Sequence, residues 1–171
     1  MYIYWCINNL IEIFALVWYN FTIINFGGFA MITIKDFHEL LGATIMVCQQ
    51  IETDVKLMCA GMMKGNFERN LAYVKNKALG QVLVELEEID ICNVNPYFSV
   101  RDYELLGEIK DIRNFWVHKG YASFIYLQED KWQQGLEQAY AKLQNEFRRL
   151  DILATEAQNI RLDVMRRFNR I

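Results

Sequence analysis

The C-terminal quarter of the chain decides the fold. Residues 128–168 read QEDKWQQGLEQAYAKLQNEFRRLDILATEAQNIRLDVMRRF. Apolar side chains recur there every three or four positions for about ten turns, which is the period of an α-helix. A helix of that length is expected to bend or to pack against a second chain. Its apolar positions are Trp132, Leu136, Tyr140, Leu143, Phe147, Leu150, Ala154, Ala157, Val164 and Phe168.

The same spacing occurs twice in the first half of the chain. From Thr33 to Met62 apolar residues recur for about eight turns, which predicts a first long helix. Asn66 is expected to cap a second helix, because its side-chain oxygen can accept a backbone N–H. The apolar face predicted for this second helix is Leu71, Val74, Ala78, Val82, Leu86 and Ile89.

A third helix is predicted after the sole proline, Pro96, which cannot continue the second one. Ser99 with Asp102 three residues later is typical of a capping box at a helix start. The buried stripe is predicted to be Leu105, Ile109, Ile112 and Trp116. Because no strand-like alternation follows residue 31, we predict an all-α up-and-down bundle of four to five helices with a long C-terminal helix.

Residues 1–30 differ in composition from the rest. They contain one charged residue, Glu12, among many apolar ones, so we divide the chain into this segment and a helical domain, 31–171. Three interpretations stay open: an extension upstream of a natural start at Met31, a membrane anchor or packing arm, and a cleaved signal peptide. The segment lacks the Lys or Arg that a signal peptide needs, whereas 10–32 is long enough to span a bilayer. The domain is expected in the cytoplasm, free or tethered.

Charge and cysteine content narrow the function classes. A net charge of -3 argues against non-specific nucleic-acid binding, although residues 141–171 hold 7 Lys/Arg against 4 Asp/Glu. The four cysteines form no C-x-x-C pair and have no histidine at zinc-ligand spacing, so we expect no structural zinc and reduced thiols. Cys48 and Cys59 are close to three helical turns apart and are predicted to face the core.

One segment carries groups suited to phosphodiester chemistry, Arg113-Asn114-Phe115-Trp116-Val117-His118. Arginine stays protonated, and histidine titrates near neutral pH. On a regular helix Arg113 and His118 lie about 140° apart. They converge only if the helix kinks or ends between them, if the arginine wraps round, or if two copies meet across a dimer axis. Asp111, Asn114 and His118 instead form one polar stripe, in which a carboxylate favours the protonated imidazole.

The segment resembles the signature of the HEPN superfamily, which is an arginine, four to six residues beginning with a polar one, and a histidine. The matching positions are Arg113, Asn114 and His118, near the end of the predicted third helix, and the resemblance covers residues 33–171. Toxins of this superfamily that are paired with a nucleotidyltransferase antitoxin carry His-x-Tyr, whose tyrosine is modified. This chain has one extra residue before Tyr121 and so departs from that subgroup.

The resemblance implies a metal-independent endoribonuclease that works as a homodimer without a cofactor. Arg113 would hold the scissile phosphate, His118 would move protons, and Asn114 would position either group, with Asp111 and Tyr121 in support. The implied setting is a toxin or an anti-phage factor restrained by a cognate antitoxin. Two alternatives stay open: a non-catalytic helical module that binds a nucleotide or another protein, and nucleic-acid binding by the basic end of the last helix. The second histidine, His38, is expected to be a surface or core-edge residue.

Overall fold

A computed structural model of the protein describes residues 31–170. This part of the chain consists of five α-helices, contains no strand, and has a short 3₁₀ turn at Gly120–Ser123. The predicted all-α bundle with a long C-terminal helix is therefore confirmed. The helices are α1 (Ile34–Met62), α2 (Phe67–Lys75), α3 (Leu79–Ile91), α4 (Val100–His118) and α5 (Glu129–Arg167).

The two longest helices, α1 and α5, run parallel and form the centre of the bundle. Asp54 pairs with Arg161 at 2.6 Å in a buried position between them. Near their C-terminal ends they approach so closely that a Cβ on Gly61 would lie 3.2 Å from Val164. Beyond α5, the guanidinium of Arg170 donates to the backbone carbonyls of residues 61, 63 and 65. These contacts hold the end of α1 against the end of the chain.

The remaining helices pack around this pair. On α2, Asn70 donates to backbone carbonyls at the end of α1, so α2 folds back along it. Helix α4 runs antiparallel to α5, with Glu108 paired to Arg149 and Trp116 bonded to the earlier Glu146. The largest fully buried side chains are Trp116, Phe37, Phe124, Ile51, Met58, Leu86, Leu106, Ile109, Leu136, Leu143, Val47 and Val55.

The sequence predicts most helix starts correctly. Thr33 and Ser99 accept backbone N–H groups of α1 and α4 in capping boxes, and Asn66 caps α2. Helix α5 begins directly after Gln128. Cys48 and Cys59 are buried, as the helical period predicts.

The prediction of one helix from Asn66 to Ile89 is wrong, because that stretch forms two helices. α2 ends at Lys75, and its terminal carbonyl accepts a hydrogen bond from the Lys56 ammonium of α1. α3 begins at Leu79, after three connecting residues, and the side-chain oxygen of Gln81 accepts a hydrogen bond from the backbone N–H of Ala78 at its start. Ala78 is therefore exposed rather than part of an apolar face.

The buried stripe of α4 also differs from its prediction. Its fully buried residues are Leu106, Ile109 and Trp116, whereas Leu105 and Ile112 are only half-buried. Arg113 follows Leu106 and Ile109 at helical spacing, so the arginine lies in the face that α4 turns toward α1. A charged side chain thus occupies a position that an apolar residue would normally fill.

The interpretations of residues 1–30 fall outside the described residues. The compact unit that contains the helices begins at Thr33. No helix between residues 31 and 170 combines the length and the apolar character that crossing a membrane requires.

Candidate functional site

The helix that carries Arg113 and His118 is continuous through both residues. α4 ends at His118, and Lys119 follows as its C-cap with a backbone N–H that donates to Phe115. Of the routes by which the two side chains could converge, an end of the helix between them is excluded. Because the two residues are five positions apart along one helix, their side chains leave it about 140° apart. Within one chain the helix itself does not bring them together.

Arg113 makes an ion pair inside its own chain. Its Nη1 donates to Oε2 of Glu52 on α1 at 2.8 Å. The other oxygen of Glu52 accepts from the Lys56 ammonium at 2.9 Å, and Lys56 also donates to the carbonyl of Lys75. The side chains of Arg113, Glu52 and Lys56 are 34%, 20% and 16% exposed, so solvent screens this network only in part. The arginine therefore reaches toward α1 and does not wrap toward His118.

The ion pair leaves much of the guanidinium available. Arginine carries five N–H donors in a planar fork, and Glu52 engages only Nη1. Within residues 31–170 the Nε and Nη2 groups of Arg113 make no hydrogen bond. Glu52 fixes one edge of the fork, because a charge-assisted bond of this length is directional. Phosphate oxygens could then bind the remaining donors without breaking the pair.

His118 occupies the last position of α4 and is exposed. Its imidazole has no hydrogen bond or ion pair among the described residues. Asn114 is half-buried and Asp111 is exposed on the same side of the helix, as the predicted polar stripe requires. No hydrogen bond joins Asp111 or Asn114 to His118 in this part of the chain. The three residues therefore share one side of α4, but no carboxylate of the described residues bonds the imidazole as predicted.

Tyr121 lies three residues after His118, in the 3₁₀ turn. Its hydroxyl bonds Nε2 of His38, and its ring meets Phe37 edge-on with centroids 5.7 Å apart. His38 is exposed and lies at the edge of the core, as expected. Phe37 also meets Trp116 edge-on at 6.1 Å, so this aromatic cluster joins the start of α1 to the end of α4.

Trp116 holds the end of α4 in place between Arg113 and His118. The residue is 1% exposed, and its indole N–H bonds the carboxylate of Glu146 on α5. Lys142 of α5 lies 3.8 Å above the ring of the neighbouring Phe115. The last two turns of α4 are thus fixed from both α1 and α5, which gives His118 a defined position.

The basic end of α5 is largely occupied by internal contacts. Arg161 pairs with Asp54, Arg149 pairs with Glu108, Arg167 bonds the Tyr97 hydroxyl, and Arg170 holds the end of α1. These arginines support the fold. The alternative of a nucleic-acid surface along α5 accordingly gains no support.

The buried thiols are unsuited to nucleophilic catalysis. Burial raises the pKa of Cys48 to about 11, with the nearby Arg113 charge opposing it, and burial likewise raises the pKa of Cys59 to about 11. Both remain protonated at neutral pH. Between residues 31 and 170, no three His, Cys, Asp or Glu side chains cluster as a metal site would require.

Sequence reasoning missed Glu52, Lys56 and the contact between His38 and Tyr121. Glu52 and Lys56 are four residues apart, so their mutual pairing on a helix was readable from the sequence. Their approach to Arg113 and to the end of α2 depends on how three helices pack. No local pattern signals those contacts.

Between residues 31 and 170 the protein is therefore an all-α bundle of five helices, with an arginine and an exposed histidine near the end of one of them. Comparisons with models of known families, with curated proteins and with solved structures find no match. The function is therefore inferred from this chain's own residues.

Proposed function

We propose that the protein is a metal-independent endoribonuclease of HEPN type that works as a homodimer. The observation that carries the proposal is the end of α4. There an exposed His118 without an internal partner follows a half-buried Arg113 whose Nε and Nη2 donors make no hydrogen bond within residues 31–170. An arginine can hold and neutralise the scissile phosphate, and a histidine can transfer the proton that attack by the RNA 2'-hydroxyl requires.

In this mechanism Arg113 binds the scissile phosphate through the donors that Glu52 leaves available. It offsets the charge that builds on the phosphate oxygens in the transition state. His118 moves a proton from the 2'-hydroxyl or to the leaving 5'-oxygen, so that the products are a 2',3'-cyclic phosphate and a 5'-hydroxyl. Asn114, on the face of His118, positions the phosphate or the imidazole.

A dimer supplies the convergence that one chain lacks. Two copies of α4 related by a two-fold axis would place both Arg113/His118 pairs in one cleft. The end of α4 and the connection that follows carry exposed apolar side chains suited to such a contact. These are Val117 (50% exposed), Ile125 (50%), Tyr126 (89%) and Leu127 (42%).

By the same proposal the protein is a toxin or an anti-phage factor held in check by a cognate partner, such as a nucleotidyltransferase-type antitoxin. Tyr121 lies one residue further from His118 than the tyrosine that is modified in that subgroup, so modification of Tyr121 is not part of the proposal. Its hydroxyl is engaged by His38, so a modifying enzyme would first have to displace that contact. Co-expression with a candidate partner encoded nearby, followed by the mass of the protein, would test this part.

A single comparison tests the enzyme proposal. The wild-type chain, Arg113→Ala and His118→Ala are incubated with single-stranded RNA and with DNA of the same sequence, in EDTA, with His38→Ala as the control histidine. We expect RNA cleavage to cyclic-phosphate ends by wild type and His38→Ala, loss of at least about 100-fold in the other two variants, and intact DNA. Inert wild type, or equal cleavage by all four proteins, contradicts the proposal.

A second candidate function is a non-catalytic helical module that binds a nucleotide or another protein. The observation that favours it is the Arg113–Glu52–Lys56 network, which gives the arginine a packing role between α1 and α4. In that case wild type is inert toward RNA, and Arg113→Ala lowers the free energy of unfolding while His118→Ala leaves it unchanged.

A further inference from the structure

A groove runs along the seam between the N-terminal half of α4 and the middle of α5. Its volume is about 390 Å³, within the size range of small-molecule sites. Asp102 lies about 24 Å along α4 from His118, at 1.5 Å per residue, so the groove is remote from the Arg113 and His118 site. It is lined by Phe98, Asp102, Leu153, Glu156, Asn159 and Ile160.

The floor of the groove is apolar and built on fixed residues. Phe98 is 8% exposed and Leu153 is 9% exposed, so each shows the groove only a small part of its surface. Phe98 is held in place because its backbone N–H donates to the buried carboxylate of Asp90 at 3.0 Å. Ile160 lies two turns after Leu153 on the same face of α5. An apolar body of ligand size can therefore cover this floor without rearranging the backbone.

The rim of the groove is acidic. Glu156 is exposed and has no hydrogen-bond or ion-pair partner within residues 31–170. Asp102 uses Oδ2 to accept from the backbone and hydroxyl of Ser99, which leaves Oδ1 unengaged. No lysine or arginine lines the groove. A cation is thus favoured and an anion disfavoured at this rim.

Arg101 precedes Asp102 on α4 but does not line the groove, and two basic side chains farther along the seam are engaged. Arg149 pairs with Glu108 toward one end of the seam at 2.9 Å, and Arg167 bonds the Tyr97 hydroxyl toward the other. Neither supplies the counter-charge for Glu156. The groove therefore offers two carboxylates beside an apolar surface.

We infer that this groove binds an organic ammonium ion, with an aliphatic or aromatic body on Phe98, Leu153 and Ile160 and its cationic head facing Asp102 and Glu156. The inference is independent of the proposed ribonuclease activity. Because the rim is open to solvent, the carboxylates contribute only a modest increment to the affinity.

The experiment titrates the full-length protein with 4-phenylbutylamine and follows binding by ligand-observed NMR. The matched probes are 4-phenylbutan-1-ol, which lacks the charge, and 4-phenylbutyrate, which reverses it. We expect the amine to bind with a Kd of about 1 mM, as the size of the ligand allows. The alcohol is expected to bind about fivefold more weakly and the carboxylate more weakly still.

Variants locate the site. Glu156→Gln is expected to weaken amine binding about fivefold, toward the affinity of the alcohol. Asn159→Trp, at an exposed groove position, is expected to abolish it by filling the space. Glu88→Gln removes the same charge from an exposed position on α3 and is expected to change nothing.

Three results would overturn the inference. The first is that the amine does not bind with a Kd below about 10 mM. The second is that the amine and the alcohol bind with equal Kd, and the third is that Glu156→Gln changes the Kd of the amine no more than Glu88→Gln does. Circular dichroism of each variant confirms that lost binding does not reflect unfolding.

Discussion

The ion pair between Arg113 and Glu52 makes a quantitative prediction about how firmly the arginine is held. Two charges about 4 Å apart interact by about 4 kcal/mol at an effective dielectric constant of 20, which is an upper bound. The side chain of Arg113 is 34% exposed, so solvent screens part of that attraction. We expect a coupling free energy of about 1 kcal/mol between the two side chains.

A double-mutant cycle measures this coupling. The free energy of unfolding in urea is determined for wild type, Arg113→Ala, Glu52→Ala and the double variant. Losing the partner of Lys56 affects both proteins that lack Glu52, so that contribution cancels in the cycle. The coupling free energy is the sum of the destabilisations of the two single variants minus the destabilisation of the double variant.

The pair between Glu108 and Arg149 is the matched control. It also joins α4 to another helix at 2.9 Å, but its side chains are 52% and 57% exposed. Its coupling is expected to be about 0.3 kcal/mol. If the coupling between Arg113 and Glu52 is no larger than the control value, Glu52 does not hold the guanidinium. The Nε and Nη2 donors of Arg113 are then not positioned to bind a phosphate.

Three further predictions concern the fold around the site. Gly120→Ala is expected to lower the free energy of unfolding by about 2 kcal/mol, because the new Cβ would lie 2.9 Å from the ring of Trp116. Gly107→Ala adds a Cβ in open space on α4 and is expected to raise the free energy of unfolding by about 0.5 kcal/mol. Shifts of the melting temperature in the same direction for both variants would refute this contrast. Asp90→Ala is expected to destabilise the protein by about 3 kcal/mol in urea. The buried carboxylate accepts hydrogen bonds from three donors, the backbone N–H groups of Tyr97 and Phe98 in the α3–α4 connection and the hydroxyl of Tyr103 on α4. A loss under about 1 kcal/mol would contradict this prediction. Burial raises the pKa of Asp54 from 3.8 to about 6 against the opposing charge of Arg161, so the folded state binds this proton more tightly than the unfolded chain. The stability of wild type relative to Asp54→Asn is therefore expected to rise by about 2 kcal/mol as the pH falls from 7 to 4. A stability difference that does not change with pH would refute the raised pKa.

Local patterns in the sequence were sufficient to predict α1, α4 and α5 and the residues at which α1, α2, α4 and α5 begin. The capping residues Thr33, Asn66 and Ser99 act on backbone groups three residues away, so their effect is written in neighbouring positions. The break between α2 and α3 was not predicted. There the carbonyl of Lys75 is satisfied by Lys56, which lies 19 residues away, and a helix end that depends on a tertiary contact leaves no local signal.

The same distinction applies to the candidate site. The sequence by itself determined an all-α bundle and placed Arg113 and His118 near the end of its third predicted helix, because both follow from helical periodicity. Only the tertiary structure decided that the helix continues through His118, that Arg113 faces α1 and pairs with Glu52, and that His118 is exposed. Which face of α4 is buried depends on the apolar surfaces that the other helices present to it, and those surfaces come from residues far away in the chain.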